Sequence, residues 1–253
     1  MKSMKSMKKL IAGNWKMNGS EAGAVSLMKD IGDGLAKNPD LMDHCDFLVC
    51  PPAIHIYVVK RQIDHMYSPV DIGGQDCAAT ENGAYTGQIS AEMLKDTGCR
   101  YVLAGHSERR IYQQETSGFI SEKAARAHLH GLIPIICVGE QEREREEGRA
   151  FDIVAKQLSE SLPDGVTAEN TVIAYEPVWA IGTGKSATPD DVKAMHGFIR
   201  EKLAHYKDIR ILYGGSVKPG NATALFSTEN VNGALIGGAS LDAAQFLGIA
   251  RAL

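Results

Sequence analysis

Eight short apolar runs recur along this 253-residue chain, each followed by turn residues and then by a stretch with helical spacing. The runs are Leu10–Ala12, Phe47–Cys50, Val70–Gly73, Tyr101–Ala104, Ile133–Val138, Val172–Tyr175, Ile209–Tyr213 and Ala234–Ile236. Between them lie helical patterns such as Glu21–Leu35, Ser117–His130, Ala150–Ser161, Pro189–His205 and Asp242–Leu253. This alternation argues for parallel strands with helices outside, because a parallel pair needs a long crossover that packs back on the sheet. The runs are continuous rather than alternating, as strands buried on both faces require. Eight units in about 250 residues predict a single-domain α/β protein, a closed (β/α)8 barrel. The rival is an open doubly wound sheet, whose dinucleotide-binding form asks for Gly-x-Gly-x-x-Gly after an early strand. Here the first run leads into Gly13-Asn14-Trp15-Lys16, which cannot serve that role.

At 44% hydrophobic residues the chain can bury a large core without a covalent staple. Its net charge of −4 gives no basic excess to favour nucleic acid or an anionic membrane. The five cysteines are odd in number and form no Cys-x-x-Cys pair, which fits reduced thiols in a cytoplasmic protein. Cys50, Cys99 and Cys137 lie in or beside apolar runs, so burial is expected for them. No apolar run approaches the ~18 residues of a membrane helix. The basic start Met1–Lys9 lacks the apolar core of a signal peptide. Residues 1–8 are expected to be a disordered tail and 9–253 the catalytic domain.

Chemistry in such a barrel sits where strands end at the C-terminal face. The first run ends in Asn14 and Lys16, which project to the same side if the chain stays extended. The fourth ends in Gly105-His106-Ser107-Glu108-Arg109-Arg110. A helix starting at Ser107 would disfavour imidazolium at His106, lowering its pKa and leaving a neutral N–H donor. Glu108 is the candidate partner for the Lys16 charge. The sixth run ends in a lone carboxylate, Glu176. The seventh and eighth end in Gly214-Gly215-Ser216 and Gly237-Gly238-Ala239-Ser240, where small residues let backbone N–H groups approach an anion. No other histidine has a strand-end setting, and no metal site is predicted. The charge run Glu140–Arg149, with Arg143 and Glu147 at helical spacing, reads as a solvated short helix.

Behind Glu176 come Pro177, the apolar tip Val178-Trp179-Ala180-Ile181, and two close glycines, Gly182 and Gly184. Pro177 fixes one hinge and the glycines free another, so the tip reads as a cover that closes over something. Gly184-Lys185-Ser186 ends like a nucleotide-phosphate loop, but that motif needs glycine at 179, where tryptophan stands. The polar stretch Asp76–Gln88 is long for a connecting loop and is a candidate to enter a second subunit.

Five segments together resemble the triosephosphate isomerase family: Gly13-Asn14-Trp15-Lys16-Met17-Asn18, Gly105-His106-Ser107-Glu108-Arg109-Arg110, Ala174 through Gly184, Tyr213-Gly214-Gly215-Ser216-Val217 and Gly237-Gly238-Ala239-Ser240-Leu241. The resemblance runs from about Lys9 to the C-terminus. It implies interconversion of dihydroxyacetone phosphate and glyceraldehyde 3-phosphate, in glycolysis and gluconeogenesis, with no cofactor. It places the base on Glu176, the electrophile on His106, the catalytic lysine on Lys16 with Asn14 supporting, and the lysine's partner on Glu108. It places phosphate contacts on Gly182, Ser216, Gly237 and Gly238. Residues 177–187 become a lid hinged at Pro177, Val178 and Trp179 and at Lys185, Ser186 and Ala187. It also implies a homodimer in which the loop of Thr86 enters the partner near Lys16. Gln88 stands where the family usually has an acid that pairs with the arginine matching Arg109, so that ion pair is in question. Another phosphate-binding barrel enzyme, such as an epimerase or lyase, would share the glycines but need not join Glu176 to this lid. A non-catalytic descendant would have lost one of Lys16, His106 or Glu176, and all three are present.

Overall fold

Each apolar run becomes a strand in this computed structural model, which describes residues 7–182, 185–206 and 208–253. β1 (Lys9–Asn14) leads to α1 (Glu21–Lys37) and the short α2 (Leu41–His44). β2 (Cys45–Cys50) leads to α3 (Ala53–His65), β3 (Val70–Gly74) to α4 (Ala91–Asp96), and β4 (Tyr101–Ala104) to α5 (Ser107–Tyr112) and α6 (Ser117–Leu129). β5 (Ile133–Val138) is followed by α7 (Glu142–Glu146) and α8 (Ala150–Ser161). β6 (Val172–Tyr175) runs through segment 177–187 to α9 (Pro189–Lys202), β7 (Arg210–Tyr213) to α10 (Pro219–Phe226), and β8 (Gly233–Ile236) to α11 (Ala243–Ala250).

All neighbours pair in parallel and β1 also pairs with β8, with Ile11 opposite both Phe47 and Ala234, so the sheet closes. Alternate residues then face two different cores. Leu10, Ala12, Leu48, Leu103, Ile135, Ala174 and Leu212 fill the barrel interior. Ile11, Phe47, Val102, Ile136, Ile173 and Ile211 face outward, against helix residues such as Met28, Val59 and Ile199. This is why the runs are continuous: each strand has an apolar partner on both faces. All five cysteines are buried and free.

Helix starts follow local chemistry. Ser20 accepts the Gly23 N–H at the head of α1. Thr188 and Asp191 form a reciprocal capping box with Pro189 at the first turn of α9, fixing where segment 177–187 ends. Of the basic start, residues 1–6 lie outside the described residues, and the Lys8 ammonium donates to the Met42 carbonyl.

Candidate active site

The ends of β4 and β6 bring His106, Ser107 and Glu176 into contact. The Glu176 carboxylate is buried (2% exposed) and accepts from the Ser107 backbone N–H (2.8 Å) and hydroxyl (3.2 Å). His106 Nε2 lies 2.9 Å from Glu176 Oε1. Burial alone would raise the Glu176 pKa, but His106 and the Ser107 donors reverse this and hold it below the ordinary carboxylate value. Glu176 is therefore an ionised carboxylate at neutral pH.

The expectation of a lowered His106 pKa is corrected. Burial does oppose its charge, yet the Glu176 carboxylate and its hydrogen bond outweigh burial and push the value up. The helix start of α5 acts as expected in one respect: the Glu108 N–H donates to His106 Nδ1 (3.2 Å). A nitrogen that accepts carries no proton, so the neutral ring holds its proton on Nε2, facing Glu176. A carboxylate from a strand two places away is what local sequence did not place beside this ring.

Lys16 and Asn14 do meet, but not through an extended chain. Lys16 has φ +52°, in the left-handed region, and Asn14 Oδ1 accepts its backbone N–H (3.0 Å), a side-chain-stabilised turn. Gln75, at the end of β3, holds the turn by donating to the carbonyls of Lys16 (2.8 Å) and Cys50 (2.9 Å). Lys16 Nζ pairs with Glu108 Oε1 at 2.6 Å, as the Glu108 reading anticipated.

A cavity of about 430 Å³ collects Asn14, Lys16, His106, Gly182, Ser216, Gly237 and Gly238. Gly182 has φ +71°, a conformation that a side chain would strain; Gly184 lies outside the described residues. Gly214 serves a purpose beyond anion approach: a Cβ there would come within 2.9 Å of Glu176 Cγ. Glu176 itself is withdrawn from this cavity. It lines a separate recess of about 80 Å³ with Ser107, Cys137 and Val178.

Segment 177–187 is anchored at both ends. Val178–Ala180 form a 3-10 turn in which Ala180 is buried. Trp179 Nε1 donates to Glu140 Oε1 (2.8 Å), which also accepts from Tyr175 Oη (3.1 Å) and Arg145 (3.2 Å). The Arg145 guanidinium stacks 4.6 Å from the Trp179 ring and pairs with Asp191. At the far end, Lys185 pairs with Glu142, and Ser186 is exposed. The solvated reading of Glu140–Arg149 is therefore corrected for Glu140, which is 0% exposed and whose pKa burial raises. α7 and the exposed Arg143–Glu147 pair match it. Glu140 and Gln75 were missed, although each follows a strand end as Glu176 does. Glu140 was absorbed into a charge run.

The loop around Thr86 is exposed from Glu81 to Gln88, with Tyr85 at 52%. Next to Lys16 opens a cavity of about 580 Å³, lined by Met17, Asn18, Gln75, Glu108, Tyr112 and others. Arg109 is neutralised inside the chain by Asp76 (2.9 Å) and Glu115 (2.6 Å), which share Lys123. Among the described residues, no cluster of His, Cys, Asp and Glu could hold a metal ion, and no helix is long and apolar enough to cross a membrane.

Fold and site define a (β/α)8-barrel enzyme that gathers a carboxylate, an imidazole and an ammonium at its strand ends, beside a glycine-lined cavity. The model of the triosephosphate isomerase family matches residues 9–253. The chain is 51% identical over 248 residues to the triosephosphate isomerase of Rhizobium meliloti (strain 1021), covering 96% of this chain and 95% of that protein. It is 50% identical over 246 residues to that of Rhodopseudomonas palustris (strain BisA53), covering 95% and 96%. The crystal structure of triosephosphate isomerase from Bartonella henselae matches with a TM-score of 0.86 at 43% identity, covering 97% and 98%. This chain belongs to the triosephosphate isomerase family.

Proposed function

We propose that the chain interconverts dihydroxyacetone phosphate and D-glyceraldehyde 3-phosphate, a step of glycolysis and gluconeogenesis, with no cofactor. One observation carries this reading: a single cavity joins the donors Asn14, Lys16 and His106 to the glycine-rich end at Gly182, Ser216, Gly237 and Gly238. The phosphate sits at that end, and the carbonyl oxygen faces His106 Nε2 and Lys16 Nζ. Glu176 removes a proton from the carbon beside the carbonyl, the electrons move onto the oxygen held by the donors, and Glu176 returns the proton to the neighbouring carbon. A placed base contributes roughly 10²–10⁴ in rate, and a donor aimed at the developing oxyanion about 2.7–4 kcal/mol.

Glu176 starts withdrawn on Ser107, so it turns toward the cavity before it reacts. Pro177 follows it directly, which ties that movement to the lid, residues 177–187. Trp179 and Ile181 leave their half-buried resting places as the lid closes over the substrate and expels water. Glu108 neutralises Lys16 until substrate arrives.

The active form is a homodimer in which Thr86 and its loop enter the 580 Å³ space beside the partner's Lys16. Exposed Met17, Tyr85, Ile111 and Tyr112 support an apolar contact there. Gln88 adds no charge and Arg109 is already neutralised, so buried area rather than an ion pair holds this dimer. Residues 9–253 form one catalytic domain preceded by a basic tail, and the free buried thiols fit a cytoplasmic location.

A coupled assay with glyceraldehyde 3-phosphate, run beside Glu176→Gln, tests the activity. Absence of turnover in the unmodified chain ends the reading. Sedimentation at low concentration tests the dimer, and a stable active monomer overturns it.

A further inference from the structure

Two tyrosines stand at the ends of neighbouring strands beneath the lid. Tyr175 ends β6, Tyr213 ends β7, and they are partners in the sheet register. The Tyr175 hydroxyl holds the first end of segment 177–187: it donates to Glu140, which also takes the Trp179 N–H.

A third ring touches both. His196 projects from α9, with its ring centroid 5.9 Å from Tyr175 at an interplanar angle of 83° and 6.4 Å from Tyr213 at 42°. It is completely buried, 3.1 Å from the Asn230 carbonyl through Nδ1, while Nε2 has no hydrogen-bond partner among the described residues. A carbonyl only accepts, so the proton sits on Nδ1 and Nε2 is a bare, buried acceptor. That is unfavourable, and the other buried residues of α9, Val192, Met195 and Ile199, are apolar. His196 does not line the substrate cavity, so no contact with substrate accounts for it. What the imidazole supplies is a flat ring pinned at one corner. Aromatic edge and face contacts depend on orientation, so a pinned ring sets the tilt of both neighbours. α9 also begins directly after the lid, at Pro189, so the histidine travels with the element carrying the lid's second end.

We propose that His196 is a positioning residue for the lid, its pinned ring fixing the tilt of Tyr175 against Tyr213 and so, through Glu140, the setting of Trp179 at the first end of 177–187. The proposal rests on reading 177–187 as a lid, and the experiment separates the two. His196→Gln keeps an N–H for the Asn230 carbonyl but removes the ring; His196→Phe keeps the ring but removes that hydrogen bond. Turnover would be measured together with fluorine NMR of fluorotryptophan-labelled protein, without and with saturating glycerol 3-phosphate. Trp15→Phe assigns the Trp179 signal.

Expected for His196→Gln is a kcat lower by about tenfold with KM changed less than about twofold. Its Trp179 signal at saturation should be broadened or divided between two positions. His196→Phe should keep most of kcat and the single bound signal of the unmodified chain, while melting at a lower temperature. Catalysis would then follow the ring and stability the hydrogen bond, a split that a purely structural role does not produce. Unmodified kcat and a single bound signal in His196→Gln overturn the proposal. So does a loss of kcat in His196→Phe as large as that expected for Gln, which decides the matter if Gln fails to fold. A Trp179 signal in the unmodified chain that ignores glycerol 3-phosphate overturns the lid reading itself, and this proposal with it.

Discussion

The barrel has a charged cavity at each end, and the two are close in size. The mouth holds about 430 Å³ and the floor about 370 Å³, the latter lined by Arg100, Tyr101, Glu169, Asp208 and Arg210 among others. At the floor, charges cancel in simple pairs between strands: Arg100 with Asp71 at 2.9 Å, and Arg210 with Asp46 at 2.5 Å. These pairs are part-exposed and share no carboxylate. At the mouth the groups are buried and shared: Glu176 is held by His106 and by both Ser107 donors, and His106 is capped by Glu108. Charge and hollow space are therefore not enough to mark a site. The mouth differs because buried ionisable groups converge there, with backbone N–H groups of a helix start aimed among them.

The sharpest way to break this contrast is Glu176→Gln. It keeps the volume and should cost roughly 10²–10⁴ in kcat, the worth of a placed base, with the melting temperature little changed. Near-normal turnover would remove Glu176 from the base role. Lys16→Met comes next: losing its donor and charge should cost about 2.7–4 kcal/mol of transition-state stabilisation, read as kcat/KM. Unchanged affinity for a phosphate ligand would contradict its contact with substrate.

Acid should weaken the molecule at a residue that lines neither cavity, His196 of α9. Burial holds the His196 pKa down to about 4, against an ordinary 6.5. The unfolded chain therefore takes up this proton first as pH falls. Stability is fully present above about pH 6.5 and should decline by about 3 kcal/mol on reaching pH 4, at 1.36 kcal/mol per pKa unit. Urea unfolding at pH 7 and pH 4.5 would show it, and His196→Phe should lose this part of the pH dependence. The smallest effect belongs to the floor. Arg210→Ala should cost only about 0.2–1 kcal/mol, as part-exposed pairs do, and leave kcat unchanged. A marked loss of turnover would mean that the two ends are not functionally distinct.

Most of the strands and the main site residues were legible because they rest on local pattern. Tyr101–Ala104, Ile133–Val138 and Val172–Tyr175 have the same bounds in sequence and structure, since an apolar run between turn residues is a complete strand signal. Asn14, Lys16, His106, Ser216 and the glycines of the last two strands all come to the mouth, each because it lies at a strand's end or within three residues of it. Glu140 also follows a strand but was hidden by charged neighbours, and only burial separates it from the solvated residues after it. The direction of the His106 pKa was misread because the helix start is local, while the carboxylate that outweighs it comes from β6.

The sequence alone determined the order of elements, the barrel class and which residues could do acid–base work, because periodicity and turn chemistry act over a few neighbouring residues. Only the tertiary structure decided that Glu176 rests on Ser107 outside the cavity. It also decided that Lys16 turns through a left-handed residue held by Gln75, and that His196 packs its ring against both Tyr175 and Tyr213. Those facts depend on which strand ends closure of the barrel brings together, and on how far burial changes the energy of a charge. Neither can be read from a run of residues.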